Sequence, residues 1–307
     1  MDDRGVSQRG LIVNPSSGKR TGKGLALAEK LQFRITVRVI ESFAQLPGFI
    51  DEMARAGVTD LFISSGDGTI QAIQTDLAER KPFAQLPRLA LLPHGTTNMT
   101  AADLGFRLRN LDALARFIEH RQPNELVHRP TLRAANPRDG RPRHGMFLGT
   151  GAVSEATLFC QEAFNAKGVR GNWASIATLF SALRFNRPHA IEVETHGGKV
   201  SGGNQLLMLS TTLKKLILGS RPFWGGDSAP IRTTVIPHPA PSLARWLLPI
   251  MYGAETRKIA PGAISFASSD LTVRSPVSFV IDGEFFDGPE NKPLRIETGP
   301  IFTYIRA

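Results

Sequence analysis

The residues best suited to chemistry stand in two short words far apart in the chain, Ser65-Gly66-Asp67-Gly68-Thr69 and Asp282-Gly283-Glu284. In the first, an apolar, β-prone run (Leu61 to Ser64) ends in two glycines around one carboxylate, and a helical repeat of Ile70, Ile73 and Leu77 starts at once. That order predicts strand, tight turn and helix, with the helix's first amides left free as hydrogen-bond donors. Gly66 and Gly68 keep Cβ atoms away from a phosphate chain, and Thr69 and the free amides can donate to its oxygens. Asp67 suits a hydrated Mg²⁺ or the ordering of polar groups beside it. A Gly-Asp-Gly turn is also a common way simply to leave a strand. In the second word, two carboxylates flank a glycine in an otherwise apolar hairpin, Ile281 to Phe286. A carboxylate beside an acceptor hydroxyl can take its proton, or hold it in line, during phosphoryl transfer. A type I′ turn at Asp282-Gly283 with a solvated Glu284 would explain the same letters.

Both words need a scaffold, and the hydrophobic pattern supplies one. From residue 10 to 120, β-like runs (Leu11 to Val13, Ile35 to Ile40, Leu61 to Ser64, Leu89 to Leu92) alternate with helix-like ones (Gly24 to Leu31, Phe43 to Ala56, Gly68 to Arg80, Thr96 to Leu104, Leu111 to His120). This rhythm predicts a parallel sheet covered by helices on both faces, with ligands beyond the carboxyl ends of the strands. Two further loops at those ends are rich in small and polar residues. Asn14-Pro15-Ser16-Ser17-Gly18-Lys19 offers hydroxyl and cationic donors, although it lacks the spacing of a Walker loop. Pro93-His94-Gly95-Thr96-Thr97-Asn98 repeats the combination at a helix start, where Thr96 would also serve as a cap. Any one loop could be an ordinary turn, but three on successive strands would converge on one cleft and favour phosphate binding.

From about Glu125 the texture changes to short β-like runs separated by Gly and Pro, interrupted by helical stretches at Ser154 to Phe164 and Asn172 to Phe185. The expected division is residues 1–124 as an α/β domain, joined by a final strand in 299–307, and 125–298 as a mostly antiparallel β domain. With 41% hydrophobic and 21% charged residues in 307, the chain has the composition of a globular protein. Its longest apolar runs, such as Trp246 to Tyr252, fall short of a membrane span. Met1-Asp2-Asp3-Arg4 opens without a hydrophobic signal region, so a cytoplasmic protein is expected. A single cysteine, Cys160 in a helical run, excludes a disulfide framework and a multi-thiolate metal site. The net charge of +10 sits mostly in the second half: residues 1–130 carry 17 Lys+Arg against 14 Asp+Glu, and residues 131–307 carry 20 against 13. No aromatic-basic RNA motif or helix-turn-helix accompanies that charge, so no nucleic acid partner is expected. An anionic membrane surface or a phosphorylated ligand fits as well, and solvated arginines alone would also account for it.

Taken together, Asn14-Pro15-Ser16-Ser17-Gly18, Ser65-Gly66-Asp67-Gly68-Thr69, Pro93-His94-Gly95-Thr96-Thr97-Asn98 and Asp282-Gly283-Glu284 resemble the diacylglycerol kinase catalytic family, which includes bacterial lipid kinases and the sphingosine and ceramide kinases. The resemblance implies an N-terminal α/β domain like those of phosphofructokinases and NAD kinases, followed by a β-sandwich. It implies ATP and Mg²⁺ as cofactors, with Gly66, Asp67, Gly68, Thr69 and Thr96 on the phosphates and metal. Asn14 and Ser17 would shape the same pocket, and Gly95 and Asn98 belong to its third loop. Glu284 matches the proton acceptor, with Asp282 as its partner, and the two acidic words would face one crevice. The acceptor would be a lipid hydroxyl at an anionic membrane surface, reached by a cytoplasmic protein that can sit at the inner membrane face; a homodimer is compatible. Leu216 to Trp224 and Ala244 to Tyr252 mix apolar, aromatic and basic residues as an interfacial contact would, or as core would. The sequence departs from the family in Thr97-Asn98-Met99 and in Gly226-Asp227-Ser228, the latter placing a second, structural Mg²⁺ in doubt. An NAD kinase-like enzyme and a non-catalytic nucleotide or lipid binder are the alternatives.

Overall fold

The computed structural model describes residues 8–17, 22–95, 98–108, 110–120, 125–158, 187–240, 243–252, 261–274 and 278–307. They form two compact units, Met1–Arg129 with Ile301–Ala307, and Pro130–Pro300. The expected helices at 154–164 and 172–185 lie largely outside the described residues, as does Cys160; helix is described at 152–158.

The first unit is the expected α/β domain. Strands β1 (Arg9–Val13), β2 (Thr36–Val39), β3 (Asp60–Ser65) and β4 (Arg88–Pro93) pair in parallel in the order β4-β3-β1-β2. The C-terminal strand adds beside β4, with Tyr304 opposite Leu89. Because successive side chains of a strand point to opposite faces, the central strands feed two cores. Ile12, Leu61, Ile63, Leu89 and Leu91 pack with α2 (Leu46–Arg55), α3 (Asp67–Arg80) and α4 (Met99–Leu104). Leu11, Val13, Phe62, Ala90 and Leu92 pack with α1 (Lys23–Leu31) and α5 (Leu111–His120) on the other face. Near-continuous apolar strands are what burial on both faces requires.

The second unit is antiparallel throughout its described ladders. One sheet runs β13-β12-β11-β7-β15-β16 (Ile264–Ser268, Ile231–Pro237, Asn204–Thr211, Phe147–Gly151, Phe279–Ile281, Glu284–Phe286), with β8 (His189–Ala190) against β11. The other joins β10 (Gly198–Ser201), β9 (Glu192–Thr195), β14 (Asp270–Arg274) and the first half of β17 (Leu294–Arg306). Inward residues of both sheets, among them Leu148, Met208, Val235, Val193, Leu271 and Ile296, share one core, which makes the unit a sandwich. Two expectations need correction. The final strand expected in 299–307 begins earlier: Leu294–Arg306 form one thirteen-residue strand, β17, that runs through Gly299-Pro300. A Cβ on Gly299 would collide with Thr131 Oγ1 and come within 2.8 Å of His144 Nδ1, so this glycine marks a close approach rather than a turn. The stretch Ala244 to Tyr252, read as interfacial contact or core, lies in a helix, α6 (Leu243–Tyr252), that carries Pro249 inside it and packs Ile250 with Ala152, Leu206, Leu207 and Ile236.

Candidate functional site

Parallel pairing brings the carboxyl ends of β1, β3 and β4 to one edge of the first unit, and with them the three polar loops. The first loop is fastened to the second from both backbone and side chain. Asn14 N donates to Ser64 O at 3.0 Å, and Asn14 Nδ2 donates to Thr69 Oγ1 at 2.8 Å in a buried contact. Asn14 Oδ1 accepts from Ser16 N at 3.0 Å, and Ser17 Oγ donates to Asn14 O at 2.8 Å, so the loop is folded on its own asparagine. Thr69 is buried beneath this loop, and its Oγ1 accepts from Asn14.

The second and third loops meet at two glycines. A Cβ on Gly95 would lie 2.5 Å from Gly66 Cα, 2.9 Å from Asn98 Oδ1 and 3.1 Å from Ser65 O. Gly66 caps α3 with extended backbone, and Asp67 and Gly68 begin the helix. Asn98, in the left-handed region at φ 49°, closes the third loop by accepting from Gly95 N and donating to Gly95 O, each at 2.7 Å. Thr96, expected on the phosphates, lies outside the described residues with Thr97.

Asp67 sits at the first turn of α3 and reaches the start of α4, where Oδ2 accepts from Met99 N at 3.3 Å. Its Oδ1 is buried and has no hydrogen-bond partner. Burial pushes this carboxyl above the ordinary aspartate value, against the opposing pull of the α4 amides. At the end of β4, His94 Nδ1 lies 2.7 Å from Ser64 Oγ. Burial first, and the Lys23 cation second, push His94 below the usual histidine value, so its ring is neutral at pH 7. Ser64 and His94 border a cavity of about 190 Å³ lined also by Asn14, Pro15, Ser17, Gly22, Gly24 and Leu25. Sequence reasoning missed the Gly22-Lys23-Gly24 wall. Its signal was the pair of glycines at the start of α1: Gly22 takes φ 68°, and a Cβ on Gly24 would lie 2.6 Å from Ser64 Oγ. A larger cavity of about 520 Å³, between Arg107, Phe117, Glu125 and Arg306, shares no residue with the three loops.

In the second unit, Ile281 pairs with Glu284 across the two-residue connection Asp282-Gly283, with φ of 48° and 91°. Positive φ at both positions is the type I′ turn weighed for these residues. The turn also carries a specific anchor. Asp282 is buried, and its two oxygens accept from Met146 N and Phe147 N, each at 2.9 Å. What this geometry shows of Asp282 is positioning: it pins the hairpin to the bend between β6 (Arg143–Gly145) and β7. Glu284, an exposed residue at the start of β16, follows this fixed turn, and desolvation by the surrounding protein pushes its carboxyl above the ordinary glutamate value. Asp227 of the altered Gly226-Asp227-Ser228 word is exposed and paired with Arg232 at 3.0 Å.

Residues 9–127, nearly the whole first unit, match the diacylglycerol kinase catalytic domain. That match covers the first unit and leaves the second outside it. The chain's sequence is similar to a probable lipid kinase YegS-like from Enterobacter sp. (strain 638), 35% identical over 100 residues that make up 31% of this chain and 32% of that protein. The match thus spans about a third of the curated relative. The fold is similar along nearly the full length to a putative diacylglycerol kinase from Bacillus anthracis str. Sterne, with a TM-score of 0.67, 18% identity, and 98% and 97% of the two chains covered. It is also similar to yeast NADH kinase complexed with NADH, with a TM-score of 0.50, 9% identity, and 99% and 84% covered. At such identities these structures speak for the fold. The residues that match the diacylglycerol kinase catalytic domain lie in the unit that holds the three interlocked loops.

Proposed function

We propose that the protein is an ATP- and Mg²⁺-dependent lipid kinase that moves the γ-phosphoryl group of ATP to the hydroxyl of a diacylglycerol-like or sphingoid lipid. The observation that carries the reading is the locked junction of three loops at the carboxyl edge of β1, β3 and β4, within a diacylglycerol kinase catalytic domain. Loop amides and the first turn of α3 suit a phosphate chain, because fixed N–H dipoles need no reorganisation when charge moves. Among the described residues no cluster of three or more His, Cys, Asp or Glu could hold a metal by itself. Asp67 Oδ1, buried and unpartnered, fits an ion whose remaining ligands are phosphate oxygens and water. Mg²⁺ held there would offset the charge of the phosphates.

In this reading the lipid hydroxyl oxygen bonds to the γ-phosphorus, the bond from that phosphorus to the β,γ-bridging oxygen breaks, and ADP leaves. The hydroxyl proton passes to a carboxylate Oε of Glu284. Asp282 acts by holding the Glu284 hairpin, and His94, kept neutral, adds no charge to the phosphate site. The raised carboxyl of Glu284 suits this task, since a base works best when its proton affinity approaches the working pH. The lipid acceptor implies an anionic membrane surface as partner, met from the cytoplasmic side; no helix among the described residues is long and apolar enough to cross a membrane. The test is transfer from γ-labelled ATP to a panel of diacylglycerol, monoacylglycerol, phosphatidylglycerol, sphingoid bases and NAD, with and without Mg²⁺. Labelled lipid, lost in Glu284→Gln while nucleotide still binds, supports the proposal. Label in NAD, or nucleotide binding without transfer to any acceptor, overturns it.

A further inference from the structure

The cavity of about 190 Å³ in the first unit is smaller than the roughly 300–1,000 Å³ that encloses a whole small-molecule ligand, so it takes part of one. Its wall includes the ring of His94, which is fixed from two sides. His94 N donates to Leu92 O at 2.7 Å, and ring Nδ1 lies 2.7 Å from Ser64 Oγ. Ser64 cannot give way: it is buried, a Cβ on Gly24 would stand 2.6 Å from its Oγ, and its carbonyl accepts from Asn14 N at 3.0 Å. A buried hydroxyl proton needs an acceptor, and Nδ1 is the one that Ser64 Oγ has among the described residues. Ser64 therefore donates, and the proton of the neutral ring stands on Nε2.

That N–H has no hydrogen-bond partner among the described residues, although the ring borders the cavity and is partly exposed. The neighbouring side chains are committed elsewhere: Asn14 Nδ2 to Thr69, Asn14 Oδ1 to Ser16 N and Ser17 Oγ to Asn14 O. Pro15 and Leu25 are apolar, and Gly22 and Gly24 have no side chain. Charge then selects the kind of ligand. Lys23 stands in sequence between the two lining glycines, its cation is felt at the His94 ring, and it has no ion-pair or hydrogen-bond partner among the described residues. No Asp or Glu among the described residues lines the cavity, and Gly18-Lys19-Arg20-Thr21, the sequence that joins its two walls, contains none. A fixed N–H donor beside a cation suits an anionic oxygen over a neutral purine nitrogen or a ribose hydroxyl.

We propose that His94 binds the donor nucleotide: its Nε2–H, aimed by Ser64, hydrogen-bonds a phosphate oxygen whose charge Lys23 offsets. This deepens the kinase reading and rests on its assignment of ATP to the three loops, while nucleotide binding tests it without an acceptor. His94 touches the ligand, and Ser64 is a positioning residue. Two amides separate a ligand contact from a loop strut, because asparagine puts a polar atom where Nδ1 stands and glutamine puts one where Nε2 stands. Binding of a fluorescent ATP analogue to the full-length protein, with Mg²⁺, is measured beside thermal unfolding. His94→Asn, which keeps the Ser64 contact, should bind about tenfold or more weakly, the size of a hydrogen bond to a charged group, while its unfolding temperature stays near the parent's. His94→Gln should bind within about threefold of the parent even if it unfolds at a lower temperature. The reverse order, equal losses, or no loss in either would leave the ring a strut of the third loop and overturn the contact. Tripolyphosphate, displacing the analogue, should weaken in His94→Asn by the same factor as ATP. Unchanged displacement, or none from the parent, would take the contact off the phosphates and overturn it. Ser64→Ala should weaken binding in the parent and add nothing in a His94→Asn background, since it acts through the ring; an undiminished loss there would overturn its positioning role. The two proposals fail separately. Selective loss of nucleotide binding in His94→Asn, with no lipid labelled by the parent, removes the kinase reading alone. Lipid labelled by His94→Asn at the parent KM for ATP removes this contact alone.

Discussion

Gly66 and Gly95 look interchangeable as glycines that clear room for phosphate, yet the structure ranks them. A Cβ on Gly95 would stand 2.5 Å from Gly66 Cα and 3.1 Å from Ser65 O, both backbone atoms that cannot swing aside. A Cβ on Gly66 would meet Gly95 Cα and Ser17 Cβ at 3.7 Å, ordinary van der Waals contact, on a backbone with φ −91° that any residue adopts. Gly95→Ala must therefore push the β3–α3 and β4–α4 connections apart. It should cost about 1–3 kcal/mol, the usual range for forcing a methyl into a packed site. It should also disturb the paired Asn98–Gly95 hydrogen bonds and weaken nucleotide binding. Gly66→Ala should stay within about 1 kcal/mol of the parent, since lost freedom in the unfolded chain offsets a poorer helix cap. Urea denaturation followed by far-ultraviolet circular dichroism, with binding of a fluorescent ATP analogue, measures both. Equal costs at the two positions, or a larger one at Gly66, would refute the close-approach argument.

The other expectations follow from single contacts. Asn14→Ala removes the donor to buried Thr69 Oγ1 and the acceptor of Ser16 N, and should cost about 1–3 kcal/mol in the same denaturation assay; a change below about 0.5 kcal/mol would show that the loop is held otherwise. Asp282→Ala strands the amides of Met146 and Phe147, about 1–3 kcal/mol for each, and should lower turnover by releasing the Glu284 hairpin, with Asp282→Asn milder on both counts. Glu284→Gln should lower kcat about 10²–10⁴-fold with little change in the KM for ATP. Because burial raises the Glu284 carboxyl above the ordinary 4.5 and a base must be deprotonated, parent activity should fall on the acid side at a pH above 4.5. The residual activity of Glu284→Gln should lack that limb, and a limb that persists would assign it to another group.

Local pattern was enough for the α/β unit because each central strand contributes to two cores, and an apolar run followed by a helical repeat is visible at a glance. Leu61 to Ser65, Gly66 and α3 are contiguous, so their order alone fixes strand, turn and helix. The lock between Gly95 and Gly66 joins residues from different turns, and nothing in either word shows that two backbones touch. Pro249 hid α6, since proline argues against a helix interior, yet the sheet beneath Ile250 holds the segment helical. Gly299-Pro300 read as a break for the same reason, although β17 runs through it. Asp282 was legible as a turn residue; that its oxygens would take two amides 135 positions or more away was not.

A common logic joins these misses. In the first unit the distinctive side chains spend their hydrogen bonds on the protein: Asn14 on Thr69 and Ser16, Asn98 on Gly95, and one oxygen of Asp67 on Met99. Among the described residues, the backbone they hold still and the second oxygen of Asp67, buried and unpaired, are left to a ligand. A phosphate chain has little need of specific side chains, because amide dipoles fixed beforehand stabilise it without reorganising. Motif letters in such a site report the joinery of the loops more than the contacts of the ligand. Asn14, expected to shape the pocket, should then act through loop geometry, so Asn14→Ala should weaken nucleotide binding in proportion to its loss of stability, and Asp67→Asn, which changes a group left for the ligand, should weaken it while sparing the fold.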